Sequence, residues 1–255
     1  MKKTMILVGA ILLGMLTSCV ETVQNSKLHV IFDNPEPRTM PLALFDEVPD
    51  SLVAALDIAN GIPSSVSVML VEKDGQEWLF DAGNGNDDSR LLPELEELGL
   101  LASDIDVVFI THLHGDHIGG LVKDGQPVFP QAKLYIPLVE LNAWTQTPES
   151  TPQNVKAMLD AYKENLVTFT LEDELPGKVE AIAAYGHTPG HTVYRIDDML
   201  IVGDIMHGVA LQMEHPKFCA RFDIDKEQAI ASRKAIMELA KKEGWIMFGM
   251  HFPAE

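Results

Sequence analysis

Residues 111–120 read THLHGDHIGG and gather three of the chain's nine histidines, with one aspartate, into six positions: His112, His114, Asp116 and His117. Imidazoles and a carboxylate at this density suit coordination of divalent cations. A core can satisfy one such group by hydrogen bonding, but several at one point need a shared positive charge. In an extended segment a spacing of two puts the rings of His112 and His114 on one side. Gly115 permits a turn that aims Asp116 and His117 at a neighbouring point, and Gly119 and Gly120 leave room for close backbone packing. The motif therefore offers ligands to two adjacent metal positions.

Two positions need more ligands than these, and other segments offer them. YGHTPGH at 185–191 holds His187 and His191, LIVGDIMHG at 200–208 places Asp204 after an apolar run, and WIMFGMHFP at 245–253 does the same for His251. Polar groups just beyond buried strands are where sites sit. One strand-end histidine is more often structural than ligating. Four such segments in one chain outweigh that reading.

The elements that must carry these groups are legible as patterns. Apolar or alternating runs mark strands at 65–71, 77–80, 107–110, 133–136, 179–184, 192–196 and 199–202. KDG at 73–75 and DD at 197–198 read as hairpin turns. Helices are expected at 91–98, 154–165 and 226–243, the last capped by Asp225, with Gln228 completing a capping box, and stopped by Gly244. Strands in runs with helices interspersed imply two sheets face to face with helices outside.

The order H-x-H-x-D-H, then His, then Asp, then His resembles the metallo-β-lactamase-fold hydrolase superfamily from about residue 64 onward. LFDAG at 79–83 resembles that family's early strand ending in an aspartate, here Asp81, that orients a ligand. The resemblance implies an αββα sandwich, an α/β layered fold. It implies that His112, His114 and His187 bind one metal ion, Asp116, His117 and His251 a second, and that Asp204 bridges them. His191 matches the family's non-ligand histidine and is expected to orient its neighbours. The expected cofactors are two divalent ions. The ligand set suits zinc and also admits manganese, iron or cobalt; His114 stands where di-iron relatives carry a carboxylate, which favours zinc.

The implied chemistry is hydrolysis by a hydroxide generated between the two ions. No convincing G-x-S-x-G nucleophile elbow accompanies it. The segments from GHTPGHTVYRIDD to EGWIMFGMHFP resemble the branch that contains methyl parathion hydrolase and quorum-quenching lactonases. The substrates implied are small esters, lactones or phosphotriesters. In those lactonases a tyrosine three positions after the bridging aspartate contacts substrate; here that position is His207, which with Asp116 forms the catalytic candidate pair. Trp144 is a candidate for the apolar pocket wall, with a plain core role as its rival. A glyoxalase-II-like thioesterase, a mononuclear iron dioxygenase acting on persulfides and a non-catalytic binding lipoprotein are the alternative readings. His117 and His251 as a second complete ligand group weigh against the iron enzyme.

The rest of the chain sets the context. Its 255 residues carry a formal charge of −19, which opposes nucleic-acid phosphates, and its apolar content of 46% supports a sizeable core. Residues 1–18 read as an export signal, with Lys2 and Lys3 before the apolar run Met5 to Leu16. LTSC resembles a bacterial lipobox, so Cys19 is expected to be lipidated and to anchor the protein to a membrane of the cell envelope. Residues 19–27 are expected to be that cysteine and a polar tether, and 28–255 the catalytic domain. The segment 28–63 is expected to cover the site or to support a homodimer of the kind found in relatives. With Cys19 acylated, Cys219 has no disulfide partner and reads as a small buried apolar residue. His251 lies close to the last residue, Glu255, where chain ends fray unless tied down.

Overall fold

The computed structural model describes residues 20–23 and 26–254. The expected export signal and Cys19 lie outside the described residues. No helix among the described residues is long and apolar enough to cross a membrane.

The chain opens with β1 (Val20–Val23), β2 (Ser26–Phe32), the short β3 (Arg38–Met40), α1 (Asp50–Ala55) and β4 (Ile62–Ser64). Then come β5 (Ser67–Lys73), β6 (Gln76–Phe80), α2 (Leu91–Glu97), β7 (Ile105–Phe109) and α3 (Gly115–Ile118). A small hairpin, β8 (Val122–Lys123) and β9 (Gln126–Pro127), precedes β10 (Lys133–Pro137), α4 (Leu138–Trp144), α5 (Gln153–Tyr162) and β11 (Leu166–Phe169). The last part contains β12 (Glu180–Ala183), β13 (Thr192–Ile196), β14 (Met199–Gly203), α6 (Val209–Gln212), α7 (Lys226–Glu243) and β15 (Ile246–Gly249).

Seven strands form one sheet in the order β1-β2-β5-β6-β7-β10-β11, antiparallel up to β6 and parallel beyond it. Four form the other, β12-β13-β14-β15, with only the last pair parallel. The facing sides bury Trp78, Phe80, Phe109, Tyr194, Met199 and Ile201 in one cluster. Each such side chain contributes about 1.5–3 kcal/mol of burial. The far side of the large sheet packs Leu91, Leu95, Val155 and Met158 from α2 and α5. The far side of the small sheet packs Ile236 and Ala240 from α7. These layers are the expected αββα sandwich.

Local chemistry explains the connections. Asp74 and Gly75, at φ 54° and 75°, turn β5 into β6, the left-handed pair that a two-residue hairpin needs. In α7 the Asp225 carboxylate accepts the Gln228 amide at 3.0 Å, and Gly244 ends the helix at φ 75°.

Two expectations change. The segment taken as a polar tether is, where described, strand: Val20–Val23 pairs antiparallel with Ser26–His29. It lies at the edge of the seven-stranded sheet, paired through its backbone on one side. The 28–63 segment divides. Its first residues continue β2 against β5, while β3 pairs with β4 and lies over the cluster described next.

Candidate metal centre

The described residues bring all seven expected ligands to one place, at the strand ends of both sheets. His112 and His114 follow β7, and Asp116 and His117 lie in the single turn of α3. Asp204 follows β14 and His251 follows β15. His187 comes from the turn between β12 and β13. Gly119 and Gly120 do allow close approach, since a Cβ on either would stand 2.0 Å from a backbone oxygen of residues 82–84. Gly203, at φ 50°, has no room either: a Cβ there would lie 2.6 Å from His191 Nε2.

Three imidazoles face one another on one side. His187 Nε2 lies 3.1 Å from His112 Nε2 and 2.9 Å from His114 Nδ1, and the last two are 3.0 Å apart. On the other side His251 Nε2 stands 3.4 Å from Asp116, and His117 Nε2 4.0 Å from it. Asp204 lies between. Its Oδ1 is 3.1 Å from His117, and its Oδ2 is 3.4 Å from His187 and 3.3 Å from His251.

Three of the rings are oriented from behind. His117 Nδ1 donates to Asp81 at 2.7 Å, and Asp81 also accepts the amide and hydroxyl of Thr111 at 2.8 Å. Asp81 itself sits at φ 62° just past β6. His251 Nδ1 donates to the Ser65 carbonyl at 2.9 Å. Ser65 also reaches the carbonyls of Met250 and Phe252, so the segment near the chain's last residue is tied at the site. His187 Nδ1 donates to Asp223 at 3.0 Å, which in turn accepts from Arg233 at 3.2 Å. Such partners leave the opposite nitrogen aimed at the common centre. His191 has neither nitrogen free for a ligand role: Nδ1 donates to Ala184 O at 3.1 Å, and Nε2 accepts the Asp204 amide at 3.0 Å.

Electrostatics separate the two sides. Burial pushes His114 and His187 down to about 4, and burial with neighbouring imidazoles holds His112 well below its usual range. These rings are in the neutral form that binds cations. Burial opposes charge on His117 and His251 too, but Asp204, with Asp81 and Asp116, outweighs it. His117 is held well above its ordinary value and His251 is raised to about 10.

The residues fit a pair of cations on a separate ground. His117 Nε2 and Asp204 Oδ1 are buried and 3.1 Å apart, and neither has an aligned hydrogen bond among the described residues. Buried polar atoms left this way are costly, and a shared cation satisfies them.

His207 also enters the cluster, 1% exposed, with Nε2 3.2 Å from Asp204 Oδ2 and neither ring nitrogen in a hydrogen bond among the described residues. A cavity of about 630 Å³ opens here, lined by Asp116, Asp204, His207 and His251 and, from outside the cluster, by Met40 and Phe222. Trp144 is not among the residues that line it. Its ring stands at 90° to His114 with centroids 5.5 Å apart, and its indole N–H donates to Glu140 at 2.6 Å. Cys219 is buried and in no disulfide among the described residues, its thiol raised to about 11 by burial and by Asp223.

Sequence reasoning missed Glu140, Asp223 and Arg233. One signal was present for the last. The buried face of α7 is Ala229, Arg233, Ile236 and Ala240, so an arginine interrupts an apolar stripe at helical spacing. An isolated Glu or Asp in a mixed segment gives no such sign.

Comparison with known proteins places this geometry. The model of the metallo-beta-lactamase superfamily matches residues 61–243. A ribonuclease Z of Salinibacter ruber is 40% identical over 72 residues, 27% of this chain and 21% of that protein. A probable metallo-hydrolase of Methanocaldococcus jannaschii is 28% identical over 166 residues, 64% of this chain and 66% of that one. The chain thus matches about a fifth of the first relative's length and just under two thirds of the second's. Among solved structures, the beta-lactamase-superfamily hydrolase AbOPH superposes with a TM-score of 0.83 at 24% identity, covering 94% of this chain and 92% of its own. AidC, a dizinc quorum-quenching lactonase solved with a homoserine product, gives 0.80 at 24% identity over 92% and 91%. With its family model matched over most of its length, this chain belongs to the metallo-beta-lactamase superfamily.

Proposed function

We propose that the protein is a dinuclear metal-dependent hydrolase of small lactones, esters or phosphotriesters, with lactones the preferred class. The observation that carries this is Asp204, whose carboxylate lies within 3.4 Å of His187 on one side and of His117 and His251 on the other. His112, His114 and His187 would hold one ion and Asp116, His117 and His251 the other, with Asp204 shared; zinc suits this imidazole-rich set. Two such ions supply Lewis acidity, both for deprotonating water near neutral pH and for polarising the substrate's carbonyl or phosphoryl oxygen.

The chain's own groups do the rest. Asp116, held well below the usual carboxylate range by His117 and His251 despite its burial, stays ionised and orients a water by accepting its O–H. His207 faces the cavity and donates to a substrate or leaving-group oxygen. Met40, Leu44 and Phe222 give the cavity apolar patches for an organic group, beside the polar Arg38, Asn84 and Asn86. The fold likeness to a dizinc lactonase supports the lactone preference, and the formal charge of −19 weighs against an RNA substrate. Export and lipid anchoring through Cys19 belong to the same proposal and rest on the N-terminal sequence.

A pH-stat panel on the zinc-loaded protein tests this reading. It compares aliphatic lactones, an aryl ester, a thioester and a methyl phosphotriester, with Asp204→Ala as blank. The expected result is fast lactone turnover. A dominant thioester rate, or no rate above the blank, overturns it. His207→Ala should lower kcat while both ions stay bound, and full kcat would remove His207 from the chemistry.

A further inference from the structure

Glu140, in α4, has 0% exposure and is not one of the expected ligands. Its Oε1 accepts the Leu113 amide at 2.9 Å and the Trp144 indole at 2.6 Å. Its Oε2 accepts the Thr188 hydroxyl and the Gly190 amide, both at 2.8 Å. Leu113 lies between His112 and His114, and Thr188 follows His187. One carboxylate therefore grips both chain segments that supply the three imidazoles of one triplet. Trp144, held by the same oxygen as Leu113, presents its ring at 90° to His114.

The turn that carries His187 also packs closely against α4. A Cβ on Gly190 would lie 2.2 Å from the Glu140 amide nitrogen and 2.5 Å from its Cα, so the turn after His187 rests directly on α4. A buried amide deprived of its acceptor is costly to leave unpaired. The other triplet has separate anchors: Asp81 for His117 and the Ser65 carbonyl for His251.

We propose that Glu140 is a positioning residue for one half of the metal centre. It sets the spacing of His112 and His114 against His187, and so governs binding of the ion they share and not of the ion at Asp116, His117 and His251. The inference rests on the dinuclear reading above. Glu140→Gln tests it well, because a glutamine fills the same volume. Its single carbonyl oxygen can serve one segment, and its NH2 cannot accept from Leu113 or Gly190.

The experiment is a zinc titration of the chelator-stripped full chain against a competing chromophoric chelator. E140Q is placed in three backgrounds: wild type, His251→Ala, which leaves the first triplet intact, and His187→Ala, which leaves the second. E140Q should weaken zinc roughly 10–100-fold in the His251→Ala background and leave affinity in the His187→Ala background unchanged. Equal weakening in both, or none in the first, overturns the proposal. A wild-type chain that binds no zinc removes the dinuclear reading and this inference together, whereas two wild-type ions with E140Q unaffected removes this inference alone. Should E140Q not fold, Trp144→Phe decides. It deletes one of the four donors and should weaken the same ion by a smaller factor, and an unchanged isotherm would overturn the proposal.

Discussion

His187 and His251 stand on opposite sides of Asp204, both buried, at 3.4 and 3.3 Å from the same carboxylate oxygen. Burial takes the first down to about 4, while Asp204 and Asp116 lift the second to about 10 against the same burial. The difference lies in the company each keeps. His187 also has a second carboxylate, Asp223 at 3.0 Å, but burial, with the imidazoles of His207 and His114 beside it, outweighs both acids. At His251 the two carboxylates, Asp204 and Asp116 at 3.3 and 3.4 Å, outweigh burial. One side is therefore a set of neutral lone pairs. The other is a balanced group of imidazolium and carboxylate that must release protons to take a cation.

The largest expected effect removes the group both sides share. Asp204→Ala should lose both ions and turnover, by more than the roughly 10–100-fold that follows loss of an orienting partner. Metal content by mass spectrometry checks it, and a variant that keeps two ions would break the symmetry of the account. Next come variants that touch one side only. Arg233→Met leaves Asp223 buried without its cation behind His187, and should cost about 3–5 kcal/mol in urea unfolding of the metal-free protein. Asp81→Asn acts behind His117 and should weaken the other ion about 10–100-fold while sparing the one beside His187.

The smallest effect is a pH profile of stability in the metal-free protein. An unfolded histidine titrates near 6.5. His114 and His187 lie near 4 when folded, so below 6.5 the unfolded chain binds protons they refuse, and stability falls as pH drops toward 4. His251 lies near 10, so its stabilisation is complete below 6.5 and is lost as pH rises through 10. Thermal melts should show a maximum near neutrality. His187→Ala should soften the acid limb and His251→Ala the alkaline limb; the reverse pattern would contradict the division between the two sides.

What could be read in advance follows the same physics. The ligand candidates were legible because imidazoles at strand ends are conspicuous against apolar runs, and the sheets were legible because β5, β7 and β14 are nearly unbroken apolar runs. Asp81 was found only through its resemblance to a family motif. Glu140 and Asp223 were not found, because a lone acid looks the same in sequence whether it faces water or four buried donors. The pairing of β1 with β2 was hidden for a related reason. An edge strand needs backbone partners on one side only, and the four residues V-E-T-V carry no period-two pattern to announce them.

The most direct test of the central claim is anomalous diffraction at the zinc edge from crystals of the zinc-loaded protein. Two peaks are expected on either side of Asp204, roughly 3.5–4 Å apart, one among His112, His114 and His187 and one among Asp116, His117 and His251. A single peak, or two peaks away from Asp204, would contradict it.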